Sequence, residues 1–268
     1  RRSQVWIMER KTNRKTIKLR TALVFCVTFV VAVIFVSILT QNQIKEEKLK
    51  AAYTAESTVN RIESQLDQYL VASDFLKNIV KNGNMLDDQT YSSRCKLLQD
   101  DAHVVEAFEL AKDGKVSQVY PLEENEEAIG LEMFTHPERK KEASLAKESG
   151  QYTIAGPFEL VQGGTGALLF DPVYTKDSNG NKQFWGFSLL VLNWDKLVEK
   201  LNLDSLETAG YHYQIWKHNM STDEDVAITQ CGNVNLQFAL EVACDVPNDT
   251  WYVEISPHNG WISSLILW

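Results

Sequence analysis

The chain has 268 residues, 44% hydrophobic and 24% charged, a composition typical of one or two folded domains and not of a disordered segment. The formal net charge is −9, although residues 1–20 contain eight basic residues and one acid. The rest of the chain therefore carries a net charge of about −16, which repels phosphate backbones and argues against nucleic acid as a partner.

The first predicted element is the uncharged apolar segment of residues 21–40, which follows the basic flank of residues 1–20. Twenty helical residues span about 30 Å, the thickness of a membrane's hydrocarbon core, so we predict a transmembrane helix. A buried core helix and a cleavable signal peptide are the alternatives, but the segment lacks a polar stripe and is longer than a usual signal-peptide core. Short basic flanks stay in the cytoplasm, which predicts a cytoplasmic N terminus and an extracellular or periplasmic location for residues 41–260.

Residues 41–83 are predicted to form one long helix, because they are rich in Lys, Glu, Ala and Gln and contain no Pro. Apolar side chains recur near helical spacing at Val59, Ile62, Leu66, Tyr69, Leu76 and Ile79. Such a stripe suits either a coiled-coil seam or packing on the chain's own domain. We expect the distal half to pack within the chain and the membrane-near half to pair with a second copy in a parallel homodimer.

Residues 84–194 have the pattern of a small sheet with one covering helix. Val104–Ala111 and Val116–Tyr120 flank a glycine turn and predict a β-hairpin. Residues 137–149 predict a helix that ends before a glycine. The further predicted strands are Tyr152–Val161, Thr165–Tyr174 and Phe184–Leu192.

Residues 195–260 predict a second unit of a helix followed by a sheet. The helix is Asp195–Leu206. The strands are Tyr211–His218, Asp225–Gln230, Leu236–Val242 and Thr250–Pro257. Residues 261–268 are apolar and are interpreted as the start of a second membrane helix, the alternative being a terminal strand or helix docked on the domain.

The cysteines and the sequence motifs indicate which disulfide, metal site or enzymatic activity the chain could have. In an oxidising compartment Cys231 and Cys244 could form a disulfide that closes a short loop, with Cys95 free; three reduced buried thiols are the alternative. A CxxC pair and a His-rich cluster are both absent from the sequence, so we predict no metal and no cofactor. Nucleophile-elbow, phosphate-loop, zinc-protease and dinucleotide motifs are also absent, so we predict that this part is not an enzyme.

Two short runs leave a choice between structure and ligand contact. Residues 162–166, QGGTG, suit a hairpin connection, the alternative being bare backbone against a ligand. The acidic run at residues 123–127 suits a solvated turn, because its spacing is not that of a calcium loop.

Several strings in one order resemble the CHASE family, the extracellular sensory domains of histidine kinases, diguanylate cyclases and adenylyl cyclases. They are VYPLEENEEAIGLEM (119–133), a basic helix ending AKESG, GPFELVQGGTGALLFDPVY (156–174) and FWGFSLLVLNWDKLV (184–198). The resemblance implies a mixed α+β fold: a transmembrane helix, a long stalk helix and two tandem PAS-like antiparallel sheet units. The membrane-distal unit, residues 84–194, would bind a small molecule, and residues 195–260 would form the membrane-proximal unit. A kinase or cyclase output domain would lie beyond residue 268.

The resemblance also suggests binding residues. In cytokinin-binding members an acidic residue of the distal unit pairs with the adenine ring, and the matching position here is Arg139. Because a guanidinium only donates hydrogen bonds, this position favours a carboxylate or phosphate ligand over an adenine; a solvated Arg139 is the alternative. Its neighbour Glu138 could replace it only in a rotated helix. Ala155 and Val161 would be apolar linings, and Phe170 stands where the plant receptors present a hydroxyl.

Two other classes of function fit parts of the sequence. An ectodomain that binds a protein partner, or serves adhesion or structure without a small ligand, would lack an enclosed cavity in the distal unit. A membrane-tethered hydrolase would need clustered titratable groups in a cleft, and the sequence places none together.

Overall fold

A computed structural model describes residues 2–82, 87–123, 125–160, 163–219, 224–234 and 238–261. The chain divides into two compact units. The first consists of residues 1–50 and 259–268, and the second of residues 51–258.

The first unit contains the beginning of helix α1, which extends over Arg2–Lys81. Side chains of the apolar segment are exposed within this unit, for example Leu23 (65% exposed) and Phe35 (60% exposed). Within the described residues, α1 is the one helix whose length and composition suit a membrane crossing. The second membrane helix was predicted to start in residues 261–268; Trp261 lies in a turn, and residues 262–268 lie outside the described residues.

The second unit contains the last third of α1. Its apolar face is buried at Ile62, Leu66, Tyr69 and Leu76. The prediction that the distal half of the stalk packs within the chain is therefore confirmed, because a helix with one apolar face is stable in water only when that face is covered.

The first sheet of this unit has five antiparallel strands in the order β2-β1-β5-β4-β3. The bounds are α2 (Asp88–Leu98), β1 (Val105–Lys112), β2 (Lys115–Tyr120), α3 (Lys140–Ser149), β3 (Thr153–Glu159), β4 (Thr165–Lys176) and β5 (Lys182–Asn193). The strands β4 and β5 are the longest pair and form one continuous hairpin. Runs rich in Val, Leu and Phe favour buried strands, and both strands are buried through their middles.

The second sheet has four antiparallel strands in the order β7-β6-β9-β8. It follows two short helices, and the bounds are α4 (Trp194–Lys200), α5 (Asp204–Thr208), β6 (Tyr211–Asn219), β7 (Glu224–Cys231), β8 (Leu240–Val246) and β9 (Asp249–Pro257). Alternating side chains of its central strands, among them Ile215, Val253 and Ile255, form the buried face. The predicted fold class, a long apolar helix followed by two antiparallel sheets in a mixed α+β chain, is confirmed.

The helices differ from the prediction in three places. Helix α2 was missed, since only Tyr91 and Cys95 of its eleven residues are buried and its apolar period is weak. The helix predicted from residue 137 begins at Lys140, because the preceding residues form turns. The helix predicted over residues 195–206 is two helices, separated where Asn202 adopts a φ of 50°, outside the helical region.

The strand predicted over residues 236–242 is displaced along the chain, because β8 begins at Leu240. The predicted disulfide was also wrong: Cys231 and Cys244 are free thiols in this structure. They lie on β7 and β8, the opposite edges of the four-stranded sheet. Three strand spacings of about 4.8 Å separate such edges, whereas a disulfide needs Cα atoms within about 7 Å.

We expect Gly186→Ala to destabilise the protein by about 3 kcal/mol or more. Gly186 has a φ of +148°, and a Cβ there would lie 2.1 Å from the backbone oxygen of Ala111 on the neighbouring strand. Chemical unfolding of the full chain in detergent micelles would measure this loss.

The matched control is Gly180→Ala in the β4–β5 turn, where φ is +83° and a Cβ meets no atom within 4 Å. This change should lower the free energy of unfolding only by what a left-handed backbone conformation costs a residue with a Cβ atom, about 1 to 2 kcal/mol. Equal losses for the two variants would contradict the clash with β1.

Candidate ligand-binding site

One face of the five-stranded sheet, here called the front face, is covered by α3. It carries a buried cluster of apolar side chains from β1, β3, β4, β5 and α3: Ala107, Ala111, Ala143, Ala146, Ala155, Leu168, Phe170, Phe187, Leu189 and Val191. Alternation along a strand places every second residue on this face. The two alanines of α3 let the helix backbone approach the sheet closely.

Arg139 lies at the N-terminal cap of α3, one turn before Ala143. It is 3% exposed, and its guanidinium lies 5.2 Å from the ring centre of Phe158. The Nε atom has no hydrogen-bond partner among the described residues. Burial lowers the pKa of Arg139, while the charges of Glu109 and Glu138 raise it. The alternative of a solvated Arg139 was therefore wrong.

Glu109 lies on β1 between Ala107 and Ala111, and so on the front face. It is 3% exposed, and its Oε2 atom has no hydrogen-bond partner in the described part of the chain. Burial raises the pKa of Glu109 to about 7, and the charge of Arg139 opposes this shift. The front face thus buries one carboxyl and one guanidinium, each with a polar atom left unsatisfied.

The other predicted site residues fall in three different environments. Ala155 and Phe170 are fully buried in the front-face cluster, and Phe158, which lies beside the guanidinium of Arg139, packs against the same cluster. Phe170 packs edge-on against Phe187, with ring centres 5.3 Å apart. Glu138 is exposed, although its charge acts on Arg139. Val161 lies outside the described residues.

Sequence reasoning missed Glu109. The signal was present in the strand sequence VEAFELAK, where Glu109 stands between Ala107 and Ala111 on the same face of the strand. Residues 107, 109 and 111 must share one face of a strand, so a buried charge could have been inferred. Its proximity to Arg139 could not, because the two residues lie on different elements.

The opposite face of the sheet, here called the back face, contacts α1 through a buried polar cluster. This cluster, the helix clasp, consists of Ser73, Lys77, Asp171 and Ser188. Ser73 Oγ lies 3.2 Å from Asp171 Oδ2 and 3.0 Å from Ser188 Oγ, and Lys77 Nζ donates to Asp171 Oδ1. Burial raises the pKa of Asp171 to about 6, and Lys77 opposes that shift. The clasp joins α1 to the two central strands directly behind the front face.

Two cavities border this sheet, and the larger is lined in part by Phe134 and Phe158, which pack against the front-face cluster. A groove of about 950 Å³ runs along the outer surface of α3, where Lys141 and Glu142 face Lys217 and Asp249 of the second sheet. Lys217 Nζ already lies 3.4 Å from Asp249 Oδ2. A smaller cavity of about 240 Å³ lies on the back face between α1, α2 and the β1–β2 hairpin. Neither cavity is lined by Arg139 or Glu109.

A comparison with solved structures found bacterial proteins that superpose on much of the chain. An extracellular ligand-binding receptor from Desulfohalobium retbaense superposes with a TM-score of 0.56 at 11% identity, covering 75% of this chain and 39% of that chain. The chain thus spans well under half of that receptor, and at this identity the likeness concerns the fold alone.

Two further neighbours are periplasmic domains. The sensory domain of the Campylobacter jejuni chemoreceptor Tlp1 gives a TM-score of 0.49 at 10% identity, covering 79% of this chain and 93% of that one. The periplasmic domain of Vibrio cholerae LuxQ gives 0.40 at 12% identity, covering 76% and 99%.

In sequence, no curated protein matches the chain. The sequence pattern of the CHASE domain, in contrast, matches residues 91–227, just over half of the chain. CHASE domains are sensory and not catalytic. Residues 91–227, which include Glu109 and Arg139, therefore form a sensory domain and not an enzyme, and the protein belongs to the CHASE family.

Proposed function

We propose that this chain is the outward-facing ligand-sensing region of a transmembrane receptor, with its N terminus in the cytoplasm. Its distal sheet unit binds a small molecule with an anionic group beside Arg139, and α1 conveys the signal to a cytoplasmic kinase or nucleotide cyclase. Support comes from the CHASE match, from the apolar membrane-length segment, and from the basic residues that precede that segment.

The observation that carries the ligand proposal is the buried guanidinium of Arg139, whose Nε has no partner among the described residues. Removing a charge from water costs several kcal/mol unless an opposite charge and hydrogen bonds replace the lost hydration. A carboxylate or phosphate supplies both, through short charge-assisted hydrogen bonds. The described residues therefore compensate the buried guanidinium of Arg139 incompletely, and an anionic ligand would supply the missing charge and hydrogen-bond acceptors.

We expect Arg139→Ala to weaken binding of a stabilising anion by about 30-fold or more, because truncating one partner of a buried charge pair costs at least 2 kcal/mol. The full chain in lipid nanodiscs would be screened by thermal shift with carboxylates and phosphate esters, with and without amino groups. Titration calorimetry would then compare the unchanged protein with the variant.

Lys140→Ala is the matched control, since Lys140 is the next cation along the chain and is exposed. It should bind the same anion with unchanged affinity. An Arg139→Ala variant that retained full affinity, or a Lys140→Ala variant that lost as much, would contradict an anion site at Arg139.

Transmission depends on the contact between the ligand unit and α1. The helix clasp fastens α1 to β4 and β5, the strands that carry Phe170 and Leu189 on the front face. A ligand shifts a two-state balance only by its differential affinity for the states, typically about 1 to 3 kcal/mol. The proposed states are two arrangements of a parallel homodimer. The exposed apolar residues Tyr53, Val71 and Phe75 on one side of α1 favour such pairing.

Insertion of Gly-Gly after Ala51 should uncouple output from ligand, because two glycines break the helix while the binding unit stays whole. The measurement is ligand-dependent output of the complete receptor in cells. A control insertion of Gly-Gly beside Gly180, in an open surface turn, should leave the response intact. A fully responsive Ala51 insertion would refute transmission through α1.

A further inference from the structure

Two buried groups of opposite charge face the front of the distal sheet, and each is incompletely satisfied. Arg139 and Glu109 are each 3% exposed. The Nε of one and the Oε2 of the other have no hydrogen-bond partner among the described residues. We propose that the site takes a zwitterionic ligand of the amino-acid class, whose carboxylate binds Arg139 and whose ammonium binds Glu109. This inference rests on the proposed function, since it assumes the same ligand site.

The two side chains do not satisfy each other. They interact electrostatically, yet within the described part of the chain they form no ion pair at 4.0 Å or less. A direct bidentate pair would have used both unsatisfied atoms. A group placed between them, with a negative end toward Arg139 and a positive end toward Glu109, satisfies both at once.

Ligands of a single charge fit less well. A simple carboxylate would pair with Arg139 but would add a second negative charge near the buried Glu109. A simple amine would pair with Glu109 but would leave the guanidinium uncompensated. Because an unpaired buried charge costs free energy, each of these ligands should bind more weakly than a zwitterion.

The surroundings of Glu109 add few other charges. Its cross-strand neighbours are apolar, Val119 on β2 and Leu189 on β5. Arg139 faces it from the start of α3, and Tyr91 of α2 couples to it electrostatically. His136 couples to Arg139, and burial lowers the pKa of this histidine below its usual 6.5, so it stays neutral at and above pH 7. Glu109 is therefore the group near this site that titrates close to neutral pH.

The ammonium of the ligand binds the ionised form of Glu109. Burial raises the pKa of Glu109 from 4.5 to about 7 in the free protein, so lowering the pH below about 7 protonates the carboxyl and weakens binding. Affinity should thus be about tenfold lower at pH 6 than at pH 8, and bound ligand should in turn lower the pKa of Glu109.

The test uses the full chain in nanodiscs and three matched sets of probes. These are the L-amino acids, the corresponding carboxylic acids without the amino group, and the corresponding amines without the carboxyl group. At least one amino acid should raise the melting temperature, and its two counterparts should bind about 30-fold or more weakly. Glu109→Gln should weaken that amino acid by about tenfold or more and remove the pH dependence.

Glu159→Gln, at an exposed carboxylate on β3, is the control and should leave both affinity and pH dependence unchanged. The melting temperature of ligand-free Glu109→Gln at pH 8 shows whether the variant folds, since the change removes the buried carboxylate but leaves the guanidinium of Arg139 buried. If this variant fails to fold, the three probe sets on the unchanged protein still decide.

Carboxylic acids that bind as tightly as their amino acids, in an Arg139-dependent way, would overturn the zwitterion inference and leave the anion sensor intact. Amines that bind without dependence on Arg139 would overturn both proposals. If no probe of the three sets binds, the zwitterion inference is wrong, and the phosphate esters of the wider screen decide the anion site separately.

Discussion

The packing of α1 on the rest of the second unit is the interaction on which this structure depends. The helix supplies a buried apolar face, including Ile62 and Leu76, to cover surfaces that the sheets cannot cover themselves. It also makes polar contacts with the part of the unit that contains the second sheet. Arg61 donates to the backbone oxygen of Leu201 at 3.0 Å, and Glu63 accepts from the backbone N–H of Asp245 at 2.9 Å.

The helix clasp makes this packing specific. Apolar side chains tolerate small displacements along a helix, whereas a buried carboxylate must keep its hydrogen-bond donors in place. Asp171 meets Ser73 and Lys77 at a single register of α1 against β4. Phe170, the residue before it, points to the front face. One strand therefore carries the site's apolar lining on one side and the attachment of the helix on the other, as the alternation of a strand requires.

The accuracy of prediction from local sequence pattern differs between the helices and strands of this chain. The strands β4 and β5 were predicted within a few residues, because their buried middles are long apolar runs bounded by polar turns. Helix α2 was missed because only two of its residues are buried, so its sequence shows a weak helical periodicity of apolar residues. Arg139, Ala155 and Phe170 were predicted through resemblance to the CHASE family. Ala155 and Phe170 are buried in the front-face cluster and Arg139 is buried at the start of α3, while Glu138 is exposed. Composition suggested a disulfide that strand order forbids.

The sequence by itself determined the membrane-length apolar segment, the long helix, the strands and the family, because each depends on periodicity or on residues that are near one another in the chain. Only the tertiary structure decided which distant residues meet. Glu109 on β1 interacts electrostatically with Arg139 at the start of α3, and Lys77 bonds to Asp171, which lies 94 residues further along the chain. Such contacts depend on strand order and helix placement, which no local pattern specifies. The burial that shifts the pKa of Glu109 and of Asp171 exists only once the whole unit has packed.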